Sequence, residues 1–365
     1  MPPQAFLQDF ERTALHHRAR CIVLSGSPGI GKSTFISHLY ATFRAKHIPV
    51  VRHHYDLGTN DHAPGFRLNH LRAATSLMHD LARDHAQALG SLANRNPEPE
   101  DLRTWLAACG AYYVREGRVL TVLVDGLDHV WRERQSLEEL TLLLEYLLPP
   151  PDGVVLVFAT QPVDDRQLSP ILLRHAPRDR WVELPQLDQP AVEQWVRKHI
   201  SDFPAQAEQL QSAVFIDRLA RALYRKGHGH PLCLHYTLKA IQERTLAFTD
   251  ETIGALPGCP HEGISAYYAE LWRVLPEGSQ AIMHLFASTQ FPWPTQGIVA
   301  CLDPQRQQIA HIRDDLRQVA HLLVQNDLGL LSFHSSLFAF VTSLPEHQEY
   351  RIPHLQKALL WLRQF

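Results

Sequence analysis

Gly26-Ser27-Pro28-Gly29-Ile30-Gly31-Lys32-Ser33 is the stretch that decides how this chain is read. It meets the pattern G-x-x-x-x-G-K-[ST] at every required position. Cys21-Ile22-Val23-Leu24 before it reads as a short buried strand, and Thr34 to Tyr40 after it reads as a helix. Glycines let the backbone curl so that successive N–H groups face an anion. The helix N-terminus adds its partial positive charge. The expectation is a phosphate cradle built from Gly26 to Ser33 and Thr34. Lys32 reaches the outer phosphates, and the Ser33 hydroxyl is placed to bind Mg²⁺.

A second element supports the first. Val119-Leu120-Thr121-Val122-Leu123-Val124 is almost uninterruptedly apolar and β-branched, as a strand buried on both faces of a parallel sheet should be. It runs into Asp125-Gly126-Leu127-Asp128. Several apolar residues followed by Asp is the Walker B pattern. It sets a carboxylate at a strand end, where Mg²⁺ needs an oxygen ligand. Asp125 is the expected Mg²⁺ residue, through water. Asp128 is read as orienting or deprotonating the attacking water, or else as a carboxylate that caps its loop.

Composition sets the frame. At 365 residues, two or three domains are expected. A net charge of −3 gives no electrostatic reason to expect nucleic acid as a general partner. The 23 histidines are scattered apart from His16-His17 and His53-His54 and show no metal-ligand spacing, so most are read as surface or boundary residues. Five cysteines, odd in number and with no C-x-x-C pair, favour free thiols in a reducing compartment. No signal peptide is visible at the N-terminus. No apolar run approaches the roughly 18 residues a bilayer span needs. The expectation is a cytoplasmic protein without a membrane partner.

Along the chain, residues 4–18 read as a helix and Pro49 to Tyr55 as a strand. A loop at 58–65 precedes a helix over 67–87, and 90–100 reads as another loop. Asp101 is placed to cap a helix running to about Glu116. Val154 to Ala159 reads as a second buried strand, and Trp181 to Leu184 as an edge strand. Strands alternating with helices give an open α/β sheet. From Pro185 to about 245 only helices are read, broken by Pro190, Pro204 and Gly227-His228-Gly229-His230-Pro231. Beyond Ile264 come helices, a Pro-rich break at Phe291-Pro292-Trp293-Pro294, and a hairpin-like piece, Asp327 to Phe333. The expected fold is a P-loop α/β domain over 1–185, a helical domain over 186–262, a winged-helix domain over 263–345, and the start of a further helical segment over 346–365.

The order of these motifs resembles the STAND class of P-loop ATPases, and within it the NACHT or apoptosome-type modules. Besides the two Walker elements, four stretches carry the resemblance: Arg52-His53-His54-Tyr55, Gly229-His230-Pro231, Ile264 to Trp272, and Leu331 to Phe338. It spans residues 5 to 345. The resemblance implies an ATP/ADP-binding switch, with Mg²⁺, in which nucleotide exchange controls oligomerisation or a protein partner. Bacterial modules of this kind commonly serve antiphage defence. It further implies that Pro231 packs near the adenine and that His334 contacts the β-phosphate of ADP in the closed state. On that reading, removing His334 costs closure and not folding.

One departure bears on turnover. Where the family often carries Thr-Ser-Arg after the fourth strand, this chain has Thr160-Gln161-Pro162. Arg166 follows but reads more readily as a solvated loop arginine. Hydrolysis is therefore expected to be slow or to need an arginine from a neighbouring subunit. The alternative is a DNA-associated ATPase with a winged helix. Its recognition helix would be Gln305 to Leu323, which mixes Arg306, Arg313 and Arg317 with Asp314 and Asp315. A small-molecule kinase fits less well, since it needs no long helical region after its sheet. No effector signature is read before residue 20 and no repeat array after 345. The expectation is a minimal family member or the central part of a longer architecture.

Overall fold

The apolar runs picked out above form one parallel sheet. The computed structural model describes residues 2–16, 20–55, 68–199, 212–243, 249–259, 263–302 and 309–364. The expected loop at 58–65, Pro204 and Arg306 lie outside the described residues. The chain divides into two units, Met1–Pro185 and Gln186–Phe365, each described by itself.

In the first unit the elements are α1 (Gln4–Ala14), β1 (Cys21–Ser25), α2 (Lys32–Ala45), β2 (Val50–His54), α3 (His70–Asp84), α4 (Ala86–Leu89) and α5 (Leu102–Arg115). They continue with β3 (Leu120–Asp125), α6 (Asp128–Arg134), α7 (Glu138–Leu147), β4 (Val154–Thr160), α8 (Pro170–His175) and β5 (Val182–Glu183). The strand order is β2-β3-β4-β1-β5, all parallel. Every residue of β3 and β4 is buried, because helices cover both faces. Phe35, Leu39 and Phe43 of α2 pack with Phe10 of α1 against one face. Leu77 of α3, Trp105 of α5 and Leu144 of α7 pack against the other.

The register positions the site. Ser25 is level with Thr160, Asp125 with Ala159, and His54 with Asp125. Four strand ends thus finish along one edge, the edge where open α/β sheets bind ligands. Two local expectations shift. The 90–100 stretch is not plain loop but holds two 3₁₀ turns, Gly90–Asn94 and Pro99–Asp101. Asp101 does not cap α5. Its carboxylate accepts from the Glu98 N–H instead, closing the preceding turn.

The second unit is helical apart from one hairpin. Its elements are α9 (Gln189–His199), α10 (Ala213–Gly227), α11 (Pro231–Glu243), α12 (Asp250–Ala255), α13 (Ile264–Val274), α14 (Glu277–Thr289) and α15 (Thr295–Leu302). They continue with α16 (Ile309–Val319), β6 (Leu323–Asn326), β7 (Gly329–Ser332), α17 (Ser335–Ser343) and α18 (His347–Leu362). The expected break at Gly227 to Pro231 is present, with α10 ending at Gly227 and α11 beginning at Pro231, and Pro190 and Pro231 sit in the first turns of α9 and α11. The hairpin begins at Leu323, earlier than expected, and α16 ends at Val319. Helix α18 buries Ala358 and sets Trp361 against Trp293 with the rings tilted, so it belongs to the same apolar cluster as α13 to α17.

Candidate functional site

The phosphate loop is shaped by its own residues. Gly31 holds φ at 99°, a left-handed conformation that side-chain-bearing residues rarely adopt, and it begins α2 without any side-chain cap. The first turn of α2 therefore has no side-chain cap at its N-terminus, and uncapped helix N-termini are suited to anions. Ile30 points down into the core beside Phe35 and pins the loop to the sheet. Ser27 and Pro28 are half-buried, and Ser33 and Thr34 lie exposed at the mouth.

Lys32 is buried although charged. Its Nζ donates to the carbonyls of Gly26 (2.7 Å) and Ser27 (3.1 Å). Burial pushes its ammonium down to about 8, Asp128 and Asp125 act in the opposite direction, and Arg132 adds to the lowering. These groups therefore share one electrostatic neighbourhood. The structure brings together the loop lysine and both acidic residues that the sequence singled out.

Asp125 ends β3 almost fully buried, and its Oδ2 lies 3.2 Å from His54 Nδ1. The Ser33 hydroxyl and the Asp125 carboxylate are hard-oxygen donors of the kind Mg²⁺ takes. Asp128 opens α6. Its Oδ1 accepts from the Gln161 N–H (3.0 Å), and its Oδ2 pairs with Arg132 Nη1 (3.3 Å). The carboxylate thus clamps the end of β4 and an arginine of its own helix. Arg166 is exposed on a 3₁₀ turn.

Two residues were not assigned site roles in the sequence. His54 was legible as half of a His-His pair and as part of the Arg52 to Tyr55 strand of the resemblance, and its place opposite Asp125 comes from the β2–β3 register. Arg132 was hidden in the charged run Arg132-Glu133-Arg134. Its i,i+4 spacing from Asp128 on a helix is the signal that would have found it.

Pro231 and His334 belong to the second unit. Pro231 is the first residue of α11, after a turn in which Gly229 has φ 77° and an added Cβ would lie 1.9 Å from the Leu187 carbonyl oxygen. His334 caps α17: its Nδ1 accepts from the Ser336 N–H (3.1 Å). This corrects the expectation that its removal leaves folding untouched, since the ring satisfies a helix-end donor without any ligand. An accepting Nδ1 places the neutral ring's proton on Nε2, making that atom a donor.

Residues 15–168 match the model of a family described as an AAA domain. This part of the chain is a P-loop ATPase module of AAA-like type, a fold that implies nucleotide binding. A comparison with curated proteins gives no match. Among solved structures, the chain is similar to a signal transduction ATPase with numerous domains, carrying a tetratricopeptide-repeat sensor, from Pyrococcus horikoshii. Identity is 15%, the TM-score is 0.41, and the alignment covers 100% of this chain and 48% of that one. The chain thus spans about half of that protein's length. It is also similar to the Drosophila origin recognition complex bound to DNA, at 16% identity, TM-score 0.40, and 93% and 85% coverage. A Walker-type ATPase of Pyrococcus abyssi is similar at 12% identity, TM-score 0.41, and 92% and 94% coverage. Both a signalling ATPase and a DNA-bound complex occur among these, and the likeness favours neither.

No helix among the described residues is long and apolar enough to cross a membrane.

Proposed function

We propose that the chain is an ATP-binding switch of the STAND type, with slow hydrolysis or ADP/ATP exchange governing self-association or a protein partner. The observation that carries this reading is the gathering of Lys32, Asp125, Asp128 and Arg132 in one neighbourhood at the sheet edge. Lys32 and the loop N–H groups hold the phosphates. Ser33 and Asp125 would hold Mg²⁺, which supplies charge neutralisation at the outer phosphates. His54 orients the Asp125 carboxylate. Arg132 takes the place of the arginine missing at Thr160-Gln161-Pro162. Both Asp128 oxygens are engaged, and that supports slow turnover until the Arg132 or Gln161 bond is released.

Pro231 at the adenine and His334 at the β-phosphate complete the proposal and rest on the resemblance. The Nε2 donor of His334 suits a phosphate oxygen. A single charge-assisted hydrogen bond is worth roughly 1.5–3 kcal/mol. Inverting a 99:1 population takes about 5.5 kcal/mol. The histidine alone cannot run the switch, so Mg²⁺, the γ-phosphate and a partner supply the rest. A role in antiphage defence is the setting the resemblance implies.

The DNA-associated reading is not adopted. Of the arginines on its recognition helix, Arg317 is paired with Asp314 at 2.8 Å. The test of the adopted reading is to isolate the chain gently, identify the nucleotide that co-purifies, and compare sedimentation with ADP and with ATP. Absence of bound adenine nucleotide, together with identical sedimentation in both, would overturn it.

A further inference from the structure

Strand β2 is the end of the sheet, and a groove of about 680 Å³ lies at its margin, between α2 and α3. Four arginines line it: Arg44 of α2, Arg52 of β2, and Arg72 and Arg83 of α3. Among the described residues its walls hold one carboxylate, Asp80. Arg83 is bound to Asp80 (2.9 Å) and Asp84 (2.6 Å), and Arg44 shares Asp84 at 3.6 Å. Asp80 and Asp84 thus meet Arg83 and Arg44 at the groove margin. Arg52 is held differently. Its guanidinium lies over the Tyr40 ring, 4.3 Å from the centroid. A stacked guanidinium is fixed in direction while its N–H edge keeps its hydrogen-bonding capacity.

Four guanidinium groups gathered on one concave site favour phosphate, whose oxygens take paired N–H donors. The volume falls in the ~300–1,000 Å³ range of small-ligand sites. One wall of the groove is His54, the imidazole that also bonds Asp125. We propose that this groove binds a small polyphosphorylated ligand and that His54 couples its occupancy to the Mg²⁺ end of the nucleotide site. The coupling rests on the nucleotide-site reading; the binding does not.

The test uses pyrophosphate as the probe. Titration calorimetry in Lys32→Ala, without Mg²⁺, isolates the groove from the phosphate loop; Lys32→Met serves if the alanine variant does not fold. One site is expected, weakening with salt. Adding Arg52→Ala and Arg72→Ala should weaken it at least about tenfold, the loss expected for charge-assisted hydrogen bonds. Arg115→Ala, on α5, should not. No heat in the lysine variant, or heat indifferent to Arg52 and Arg72, overturns the site. A ten-residue single-stranded oligonucleotide binding through the same arginines a hundredfold more tightly than pyrophosphate overturns the small-ligand assignment.

Coupling is read as the change in Mg-ADP affinity caused by pyrophosphate, with and without Arg52 and Arg72. Competition at the phosphate loop is common to both proteins, so the difference reports the groove. A difference of at least about threefold is expected, lost in His54→Phe. No difference overturns the coupling. Failure of wild type to bind Mg-ADP at all is instead a failure of the nucleotide reading.

Discussion

The two units bury polar groups for opposite reasons. In the first, the buried ionisable groups nearest the phosphate loop are Lys32 at the start of α2, Asp125 at the end of β3 and Asp128 at the start of α6, close enough for both carboxylates to act on the lysine. They are costly to bury and are arranged as a charge-complementary set. In the second, the buried titratable groups include five histidines, His230, His284, His321, His347 and His354. His284 and His347 meet Nδ1 to Nδ1 at 3.0 Å, so one ring donates and the other accepts. That contact requires the accepting imidazole to be neutral. Burial holds His284 and His354 down at about 4, and lowers His347 as well. The first unit thus buries charged groups beside its glycine loop as well as the imidazoles of His53 and His85, while the second buries histidine rings among its packed helices. A motif can announce the first and not the second.

The largest expected effect tests the first half of that contrast. At about a thousand times its dissociation constant, Mg-ATP should stabilise the wild type by roughly 4 kcal/mol. Lys32→Ala should lose this response. Equal shifts in thermal melting for the two proteins would remove the ligand role from the buried lysine.

The second expectation tests the histidine core. His284 and His354 fall from an ordinary value near 6.5 to about 4 in the folded state. Above pH 6.5 both are neutral folded or unfolded, and stability is full. As pH falls from about 6.5 toward 4, the unfolded state gains protons that the folded state resists. Each imidazole should then cost up to ~3 kcal/mol. Hydrogen exchange of α14 and α18 should accelerate over this window before that of β3 and β4. Exchange that rises uniformly across both units would break the comparison.

A smaller effect concerns Asp128 and its partner. Arg132→Ala should lower single-turnover hydrolysis about tenfold or more with little change in nucleotide affinity, while Arg166→Ala should do neither. Asp128→Asn should likewise reduce turnover more than binding. Equal losses from Arg132 and Arg166 would return the sensor role to the loop.

The smallest effect separates cap from contact. His334→Ala should cost about 1 kcal/mol of stability through the lost cap, and His334→Asn should restore it, since asparagine caps well. If His334 also serves ADP, both variants should weaken ADP about tenfold and leave ATP nearly unchanged. Recovery of ADP affinity in the asparagine variant would make His334 a cap alone.

How much was legible follows from locality. The phosphate loop was readable because its chemistry lies within eight consecutive residues, Gly26 to Ser33. Asp125 was readable because a doubly buried strand leaves an uninterrupted apolar run before it. His54 was not, because its partner is fixed by strand register. The capping role assigned to Asp101 went astray because the carboxylate had two local donors within reach, and the 3₁₀ turn took it.

The sequence by itself determined the glycine loop between strand and helix, the acidic strand end, and the alternation of strands and helices that demands a parallel sheet. These depend on residue type and short spacing, which the chain carries wherever it goes. Only the tertiary structure decided that Lys32, Asp128 and Arg132 share a field, that His54 touches Asp125, that arginines from α2, β2 and α3 converge on one groove, and that His284 meets His347. Each of these joins residues from separate elements or fixes a rotamer on one. Such proximity is set by packing and register, which local sequence does not encode.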